Sequence, residues 1–418
     1  MDPMDHPKMR CTYVGVDSHK DTHTAVFLDC FFGKLGEIRF PNRPSAFPAF
    51  LADAERFRLP GTEFLFGLED VSAYGRMLSG FLSDCGQQVK HVNALLVARE
   101  RKNRNITEKT DSVDAECAAR VLLSRLSDLP DAEPLGKYWI LRTLVIRRGF
   151  IVKNNVCLKN HLHTLLTQHY PNYTDFFTNI DCKTSLIFFM KYPSPSALAN
   201  VSHEELSEFL KDPSNKRVGE DKAREILDSL EDTTVEYQEI RDMAVRSAIR
   251  QIESNLKELD CVEEAMASFL EKFDCTLTTM KGIDVVTAAA LLSCIGDIKK
   301  FSTPAKLARY SGIAPITYSS GKKDLQFANQ RGNRELHTVF YGLAIRVSSP
   351  VGPASKVINP FFYEYYHRKR AEGKTKRQAL KCVERRLVNI VWAMLTNNEE
   401  YVNPPMYYVQ KEDAAAKK

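Results

Sequence analysis

Four carboxylates stand where a divalent cation would need oxygen ligands. Asp17 closes one apolar run, CTYVGVD, and Glu69 closes another, EFLFGLE. Asp111 and Asp114 open a helical stretch, TDSVDAECAARVLL, and a spacing of three puts both side chains on one helical face. Two strand ends and a helix start can gather acids that are far apart in sequence. Hard oxygen ligands of this kind would hold Mg²⁺, and the chemistry would be phosphodiester cleavage or transfer. Each acid alone has an ordinary explanation, because Asp is common in turns and D-x-x-D suits a helix dipole. The set is more telling. Two carboxylates about 4 Å apart repel by roughly 4 kcal/mol at an effective dielectric near 20, so a metal, a proton or a basic neighbour must offset their convergence.

The elements that would position these acids follow from the pattern. Three β-type runs, CTYVGVD, THTAVFLD and GEIRF, predict an antiparallel meander between residues 11 and 40. A helix over SAFPAFLADAERF comes next, then the strand that ends at Glu69. A helix from Tyr74 to Leu82, a strand QVKHVN, a basic connection and the D-x-x-D helix complete the segment. This is the order of an RNase H-like α/β fold with a mixed sheet, meander-linked strands first and crossover strands after.

With 418 residues the chain is long enough for two or three domains. A net charge of +5 is mild at this length, so the distribution of charge matters more than its total. No apolar run approaches a membrane span, and the N-terminus MDPMDHPKMR lacks an apolar signal core. The ten cysteines are scattered without a C-x-x-C pair, which predicts reduced thiols in a cytoplasmic protein and neither a zinc site nor a disulfide framework.

Residues 137–170 read as one helix. It has no carboxylate but carries Lys137, Arg142, Arg147, Arg148, Lys153 and Lys159. A solvated helix usually mixes signs, so this bias favours a polyanion partner. His161 and His163 are two apart and share no helix face, which argues against a metal role for the pair. Ser202 and Glu205 have capping-box spacing in an otherwise heterogeneous stretch, 171–230. A second long helix spans about 235–273, mixed in charge, and would pair antiparallel with the first or make an oligomer contact. After it, LTTMKGIDVVTAAALLSCIGDIKKF reads as helix, glycine turn, helix, a hairpin of a kind that can offer backbone N–H groups to phosphates. Turns are marked around Gly312, Ser319–Gly321 and Gly332. Residues 364–386 are strongly basic, with Arg368, Lys369 and Arg370 beside Tyr363, Tyr365 and Tyr366, a combination that suits a nucleic-acid backbone.

Taken in order, these motifs resemble a known family. VGVD, a Glu followed five residues later by Tyr, T-D-x-x-D-A, a basic K-N-x-L-H helix and a late Y-x-G-x-x-P, S-G, G-N-R-E-L block are similar to the DEDD transposases of the IS110 insertion-sequence group. The resemblance covers roughly residues 11–170 and 275–395 and leaves about 171–235 unplaced. It implies a RuvC-like catalytic domain over 9–130, a helical coiled-coil region over 131–274, and a mostly helical C-terminal transposase domain over 275–410. Asp17, Glu69, Asp111 and Asp114 would be the metal-binding catalytic acids, and Ser320, preceding Gly321, the nucleophile. Lys322 and Lys323 would steady the phosphate. The resemblance further implies donor and target DNA as substrates, a structured guide RNA as partner, Mg²⁺ as cofactor, and a dimer or tetramer whose active sites combine the acidic domain of one subunit with the serine domain of another.

The chain departs from the family pattern in two places. Val71 and Ser72 stand where Thr-Gly is frequent, and Lys281-Gly282-Ile283-Asp284 stands where P-G-I-G is frequent. Asp284 would repel a phosphate that it faced. Without the resemblance, Ser-Ser-Gly before two lysines is a plain turn with no adjacent base. Two other readings of the residues stay open: a RuvC-like nuclease or junction resolvase that uses water, and a nucleic-acid-binding protein without catalysis.

Overall fold

Period-two alternation organises the N-terminal part of the chain. The computed structural model describes residues 6–69, 73–132, 136–211, 219–231, 233, 235–320, 323–327, 329, 332–352 and 355–403, with the backbone alone at 128, 317–320, 323–326 and 351. The strands β1 (Cys11–Ser18), β2 (Thr22–Leu28), β3 (Lys34–Pro41), β4 (Glu63–Leu68) and β5 (Gln88–His91) form one sheet in the order β3-β2-β1-β4-β5. Tight turns leave β1–β2 and β2–β3 antiparallel. The longer excursions through α1 (Phe47–Ala54) and α2 (Arg76–Asp84) bring β4 and β5 in parallel. The mixed sheet expected from the order of runs is therefore present.

Each face of the sheet buries a different pair of helices. Val14, Val16, Phe64, Phe66 and Leu68 pack with Phe47, Phe50, Leu78 and Leu82 of α1 and α2. The alternate residues Tyr13 and Leu65 pack with Ala115, Ala118, Ala119 and Leu122 of α4 (Asp111–Ser124). The β1–α4 contact is unusually close. A Cβ on Gly15 would lie 2.1 Å from the Ala115 carbonyl oxygen and 2.2 Å from the Ala119 nitrogen, so only glycine fits there.

The basic connection before the D-x-x-D helix is itself partly helical. Residues Ala94–Asn103 form α3, capped by the Asn93 side chain, which accepts from the Leu95 N–H at 2.8 Å. Val97 anchors it in the same core as α4. Its charged end, Arg99 to Lys102, hides the short apolar signal at its start.

The chain divides into two compact units, Met1–Ile140 and Leu141–Lys418, the boundary falling inside α5 (Lys137–His169). The second unit is mostly helical. In it α5 runs antiparallel to α10 (Gln238–Leu270): Arg147 meets Glu258 at 3.2 Å and Arg148 meets Glu263 at 2.7 Å, while Arg241 donates to the Gln168 carbonyl at 2.9 Å. Residues 171–235, unplaced by any motif, include α6 (Tyr173–Phe176), α7 (Lys183–Lys191), α8 (His203–Lys211) and α9 (Glu220–Asp228). Their Phe176, Phe188, Phe189, Leu206 and Ile226 share one core with Leu162 and Leu166 of α5 and with Val245, Ile249 and Ile252 of α10. This stretch is thus a helical cap on one end of the long pair. The Ser202 hydroxyl accepts from the Glu205 N–H at 3.1 Å, half of the expected capping box.

Beyond α10 come α11 (Val285–Ile295), α12 (Pro304–Tyr310), the hairpin β6 (Ile316–Ser320) and β7 (Lys323–Phe327), α13 (Arg334–Ser348), α14 (Pro360–Ala371) and α15 (Lys376–Asn397). The Asp284 carboxylate is already engaged within the unit. It caps α11, accepting from the Thr287 N–H at 2.8 Å, and pairs with Arg346 at 2.7 Å.

Candidate metal centre

Alternation decides which way the strand-end acids face. Tyr13, Gly15 and Asp17 take the α4 side of β1; Leu65 and Gly67 take it on β4, and Glu69 continues that series one residue past the strand. The two strands are parallel and in register, with Val16 opposite Leu68, so Asp17 and Glu69 emerge side by side. The Glu69 N–H extends the ladder to the Val16 carbonyl at 3.4 Å. Helix α4 begins at the same end, its Thr110 hydroxyl accepting from the Val113 N–H at 3.2 Å, and its first turn carries Asp111 and Asp114. All four acids line one cavity of about 600 Å³, together with Ser18, His19, Ala94, Lys109 and Thr110.

The charges in this cavity are strained by burial and by each other. Asp17 is 8% exposed and Asp114 6%. Burial pushes the Asp17 carboxyl above the usual range; His19 opposes this, while Asp114 and Asp111 add to it. Glu69 is raised by burial, then by Asp17 and Asp114, with Lys109 and Arg101 opposing.

Basic side chains of the same unit supply the compensation. The His19 Nε2 lies 3.1 Å from Asp17 Oδ2 and 3.2 Å from Asp111 Oδ1. Arg39 stands 3.8 Å from Asp111, and Arg101 of α3 grips Asp114 Oδ1. Sequence alone does not single out His19, Arg39, Arg101 or Lys109. His19 had a signal, since it lies two residues beyond a strand-end acid. Arg101 carries no such signal, because its place in sequence is a basic connection between a strand and a helix.

Four carboxylates lining one cavity, two of them raised first by burial and then by one another, fit a hard divalent cation. Asp17, His19 and Asp111 each offer a ligand atom, all within 4.8 Å of one another.

The remaining candidates lie in the second unit. Ser320 ends β6, its backbone paired with Lys323, and Ser319 pairs with Asp324. Gly321 and Lys322, like Val71 and Ser72 near Glu69, lie outside the described residues, as do the side chains of Ser320 and Lys323. The basic face of α5 is partly neutralised within the unit. Arg147 and Arg148 pair with α10, and Lys159 pairs with Asp181, whereas Lys153 is exposed. His163 bonds the Tyr173 hydroxyl at 2.6 Å. On α14 the Arg368 guanidinium lies 5.2 Å from the Tyr365 ring, Lys369 pairs with Glu372 at 2.9 Å, and Arg370 donates to the Lys374 carbonyl. Tyr365 is buried, leaving Tyr363 and Tyr366 as the partly exposed aromatics of that run. All ten cysteines are free thiols, and no helix among the described residues is long and apolar enough to cross a membrane.

The chain is similar to known proteins over most of its length. Residues 14–171 match the transposase family model DEDD_Tnp_IS110, and residues 275–358 match the model for transposases of the IS116/IS110/IS902 family. The chain is 28% identical to a 43.6 kDa protein of insertion element IS110 from Streptomyces coelicolor, over 93% of this chain and 95% of that one. It is 24% identical to a 44.8 kDa protein of insertion element IS116 from Streptomyces clavuligerus, over 94% and 96%. A pilin gene-inverting protein of Moraxella bovis is 31% identical over 30% of this chain and 37% of its own.

Proposed function

The chain belongs to the IS110 family of insertion-sequence transposases, and from that premise we propose that it cuts and exchanges DNA strands with Mg²⁺ and a serine nucleophile, directed by a structured guide RNA. The first unit, on this reading, is an RNase H-like, RuvC-like catalytic domain working in the cytoplasm. One observation carries the proposal: Asp17, Glu69, Asp111 and Asp114 open into one cavity, and a single imidazole nitrogen touches Asp17 and Asp111 together.

The four acids would hold Mg²⁺. When bound, the ion supplies a Lewis acid that draws charge from the scissile phosphate and favours an ionised serine. Asp114 keeps its place because Arg101 grips one of its oxygens. Ser320 Oγ attacks phosphorus, the bond to the leaving strand breaks, and the phosphoserine ester keeps the bond energy for rejoining. Lys322 and Lys323, beside it in sequence, would steady the phosphate charge. Arg147, Arg148, Lys153 and Lys159 on α5, and Arg368, Lys369 and Arg370 on α14, would contact RNA or DNA phosphates in a dimer or tetramer. The likeness to a pilin gene-inverting protein suits an enzyme that rejoins what it cuts.

The test incubates full-length protein with candidate RNA, DNA and Mg²⁺ and looks for a covalent protein–DNA species. Ser320→Ala should lose both cleavage and adduct, Ser319→Ala should be milder, and Asp17→Ala should be inert. If Ser320→Ala nicks DNA at the wild-type rate, water is the nucleophile and the hydrolytic nuclease is the better account. Nucleic-acid binding without any cutting by the wild-type protein would favour the non-catalytic reading.

A further inference from the structure

Among the basic groups around the acids, His19 is the one that can also bind a metal ion, through an imidazole nitrogen. It lies in the turn after β1, 52% exposed at the side chain, yet its backbone is fixed. The His19 N–H donates to the Thr22 carbonyl at 3.1 Å. Its carbonyl accepts from the Asn42 amide at 3.0 Å, and the same amide reaches the carbonyls of Lys20 at 3.2 Å and Tyr74 at 3.1 Å. Asn42 therefore ties the turn after β1 to the segment that follows Glu69, and the ring hangs from a held backbone.

The decisive quantities are the two distances from Nε2, 3.1 Å to Asp17 Oδ2 and 3.2 Å to Asp111 Oδ1. Neighbouring ligands of an octahedral ion with bonds of about 2.1 Å stand roughly 3.0 Å apart, the bond length multiplied by the square root of two. Both distances from the nitrogen thus match the edge of a ligand octahedron, and the three residues' ligand atoms all lie within 4.8 Å of one another. An ion held by Asp17 Oδ2 and Asp111 Oδ1 would have Nε2 within reach. With its proton on Nδ1, the imidazole presents the Nε2 lone pair to that ion.

We infer that His19 is a direct ligand of the catalytic cation, completing an Asp17–His19–Asp111 face, and that it makes the site bind Mn²⁺ more tightly than Mg²⁺. An imidazole nitrogen suits first-row transition ions, whereas Mg²⁺ prefers oxygen and holds its waters. The inference rests on the metal-site reading above.

The experiment adds one equivalent of Mn²⁺ to full-length protein and records pulsed electron paramagnetic resonance, which detects nitrogen bonded to the ion. Wild type should show a ¹⁴N coupling. His19→Gln should lose it and weaken Mn²⁺ binding by about 10- to 100-fold or more, the range seen for groups acting one shell further out. His19→Asp, which offers oxygen in place of nitrogen, should lose the coupling and the Mn²⁺ preference while still binding Mg²⁺. Asp17→Asn reports on the site itself. If Asp17→Asn abolishes Mn²⁺ binding but wild type shows no ¹⁴N coupling, His19 is only a hydrogen-bond donor and the inference fails while the metal site stands. If Asp17→Asn binds Mn²⁺ as wild type does, the ion sits elsewhere and both readings fall.

Discussion

The Asp114 carboxylate is almost fully buried, and Arg101 holds one of its oxygens with a guanidinium that is itself largely covered. Removing one partner of such a pair strands the other charge. Arg101→Ala should destabilise the metal-free protein by about 3 kcal/mol in urea denaturation, and saturating Mn²⁺ should restore much of the loss by supplying the missing positive charge. An Arg101→Ala protein as stable as wild type without metal would show that Asp114 does not depend on the clamp. Titration gives a second residue-scale outcome. The raised carboxyls of Asp17 and Glu69 contribute stability that is present below the ordinary carboxylate range, about pH 4, and is lost as pH rises through their folded values. Buried His23 works in the opposite sense. Burial pushes its imidazole down to about 4, so its contribution is present above about pH 6.5 and is lost as pH falls toward that folded value. In metal-free protein the two slopes oppose each other. Asp17→Asn should raise Tm at pH 7 and steepen the fall in Tm between pH 6.5 and 4, while His23→Phe should flatten it. Unchanged Tm–pH curves for both variants would contradict these assignments.

At the scale of elements, α5 shows how a charge argument can be right about composition and incomplete about cause. The helix has no acid of its own, but α10 supplies Glu258 and Glu263 to Arg147 and Arg148. Exposed pairs of this sort are worth roughly 0.2–1 kcal/mol each. Arg148→Glu should therefore disturb the helix pair as well as any phosphate contact. The double exchange Arg148→Glu with Glu263→Arg should recover the wild-type Tm. If α5 binds nucleic acid through Arg148, the exchanged protein should still bind weakly, with a log–log salt slope lower by about 0.7 to 0.9. Recovery of both stability and binding would make Arg148 a structural residue only. Strands and the D-x-x-D helix were legible because alternation and caps are local signals. Helix α3 was not, since four charged residues at its end outweigh ALLV at its start. The cap of α6 to α9 was obscured for another reason: its helices are short, and their faces are completed only by α5 and α10. The convergence of the acids was legible only as something the expected fold would bring about; the parallel pairing of β1 with β4 that sets Asp17 beside Glu69 comes from the structure. The gripping cations were not legible, because their placement depends on side chains arriving from other elements.

For the whole molecule, the division after Ile140 sets a further expectation. The first unit contains its own two-sided core and every member of the candidate metal centre. The opening turn of α5 belongs with it, since the Arg76 guanidinium lies 3.6 Å from the Trp139 ring. A fragment of residues 1–140 should therefore fold cooperatively and bind Mn²⁺ close to the full-length affinity, yet form no covalent DNA adduct, because it lacks Ser320, the proposed nucleophile. Circular dichroism melting and calorimetric titration read the first two outcomes. A fragment that is unfolded, or folded but unable to bind Mn²⁺, would show that the second unit is needed to build the centre.

The glycine contact between β1 and α4 bears on how such a protein can change over generations. At Gly15 the strand that ends in Asp17 meets the helix that begins with Asp111 through the Ala115 carbonyl, the Ala119 nitrogen and the small Ala119 methyl. Exchanges of surrounding apolar side chains alter volumes that lie beside this contact, not within it. Substitutions elsewhere in the core can then accumulate while the gap between the acids stays set by a glycine and an alanine. The vulnerability is concentrated at one codon, where adding even a methyl group would prise the helix, and both of its acids, away from Asp17.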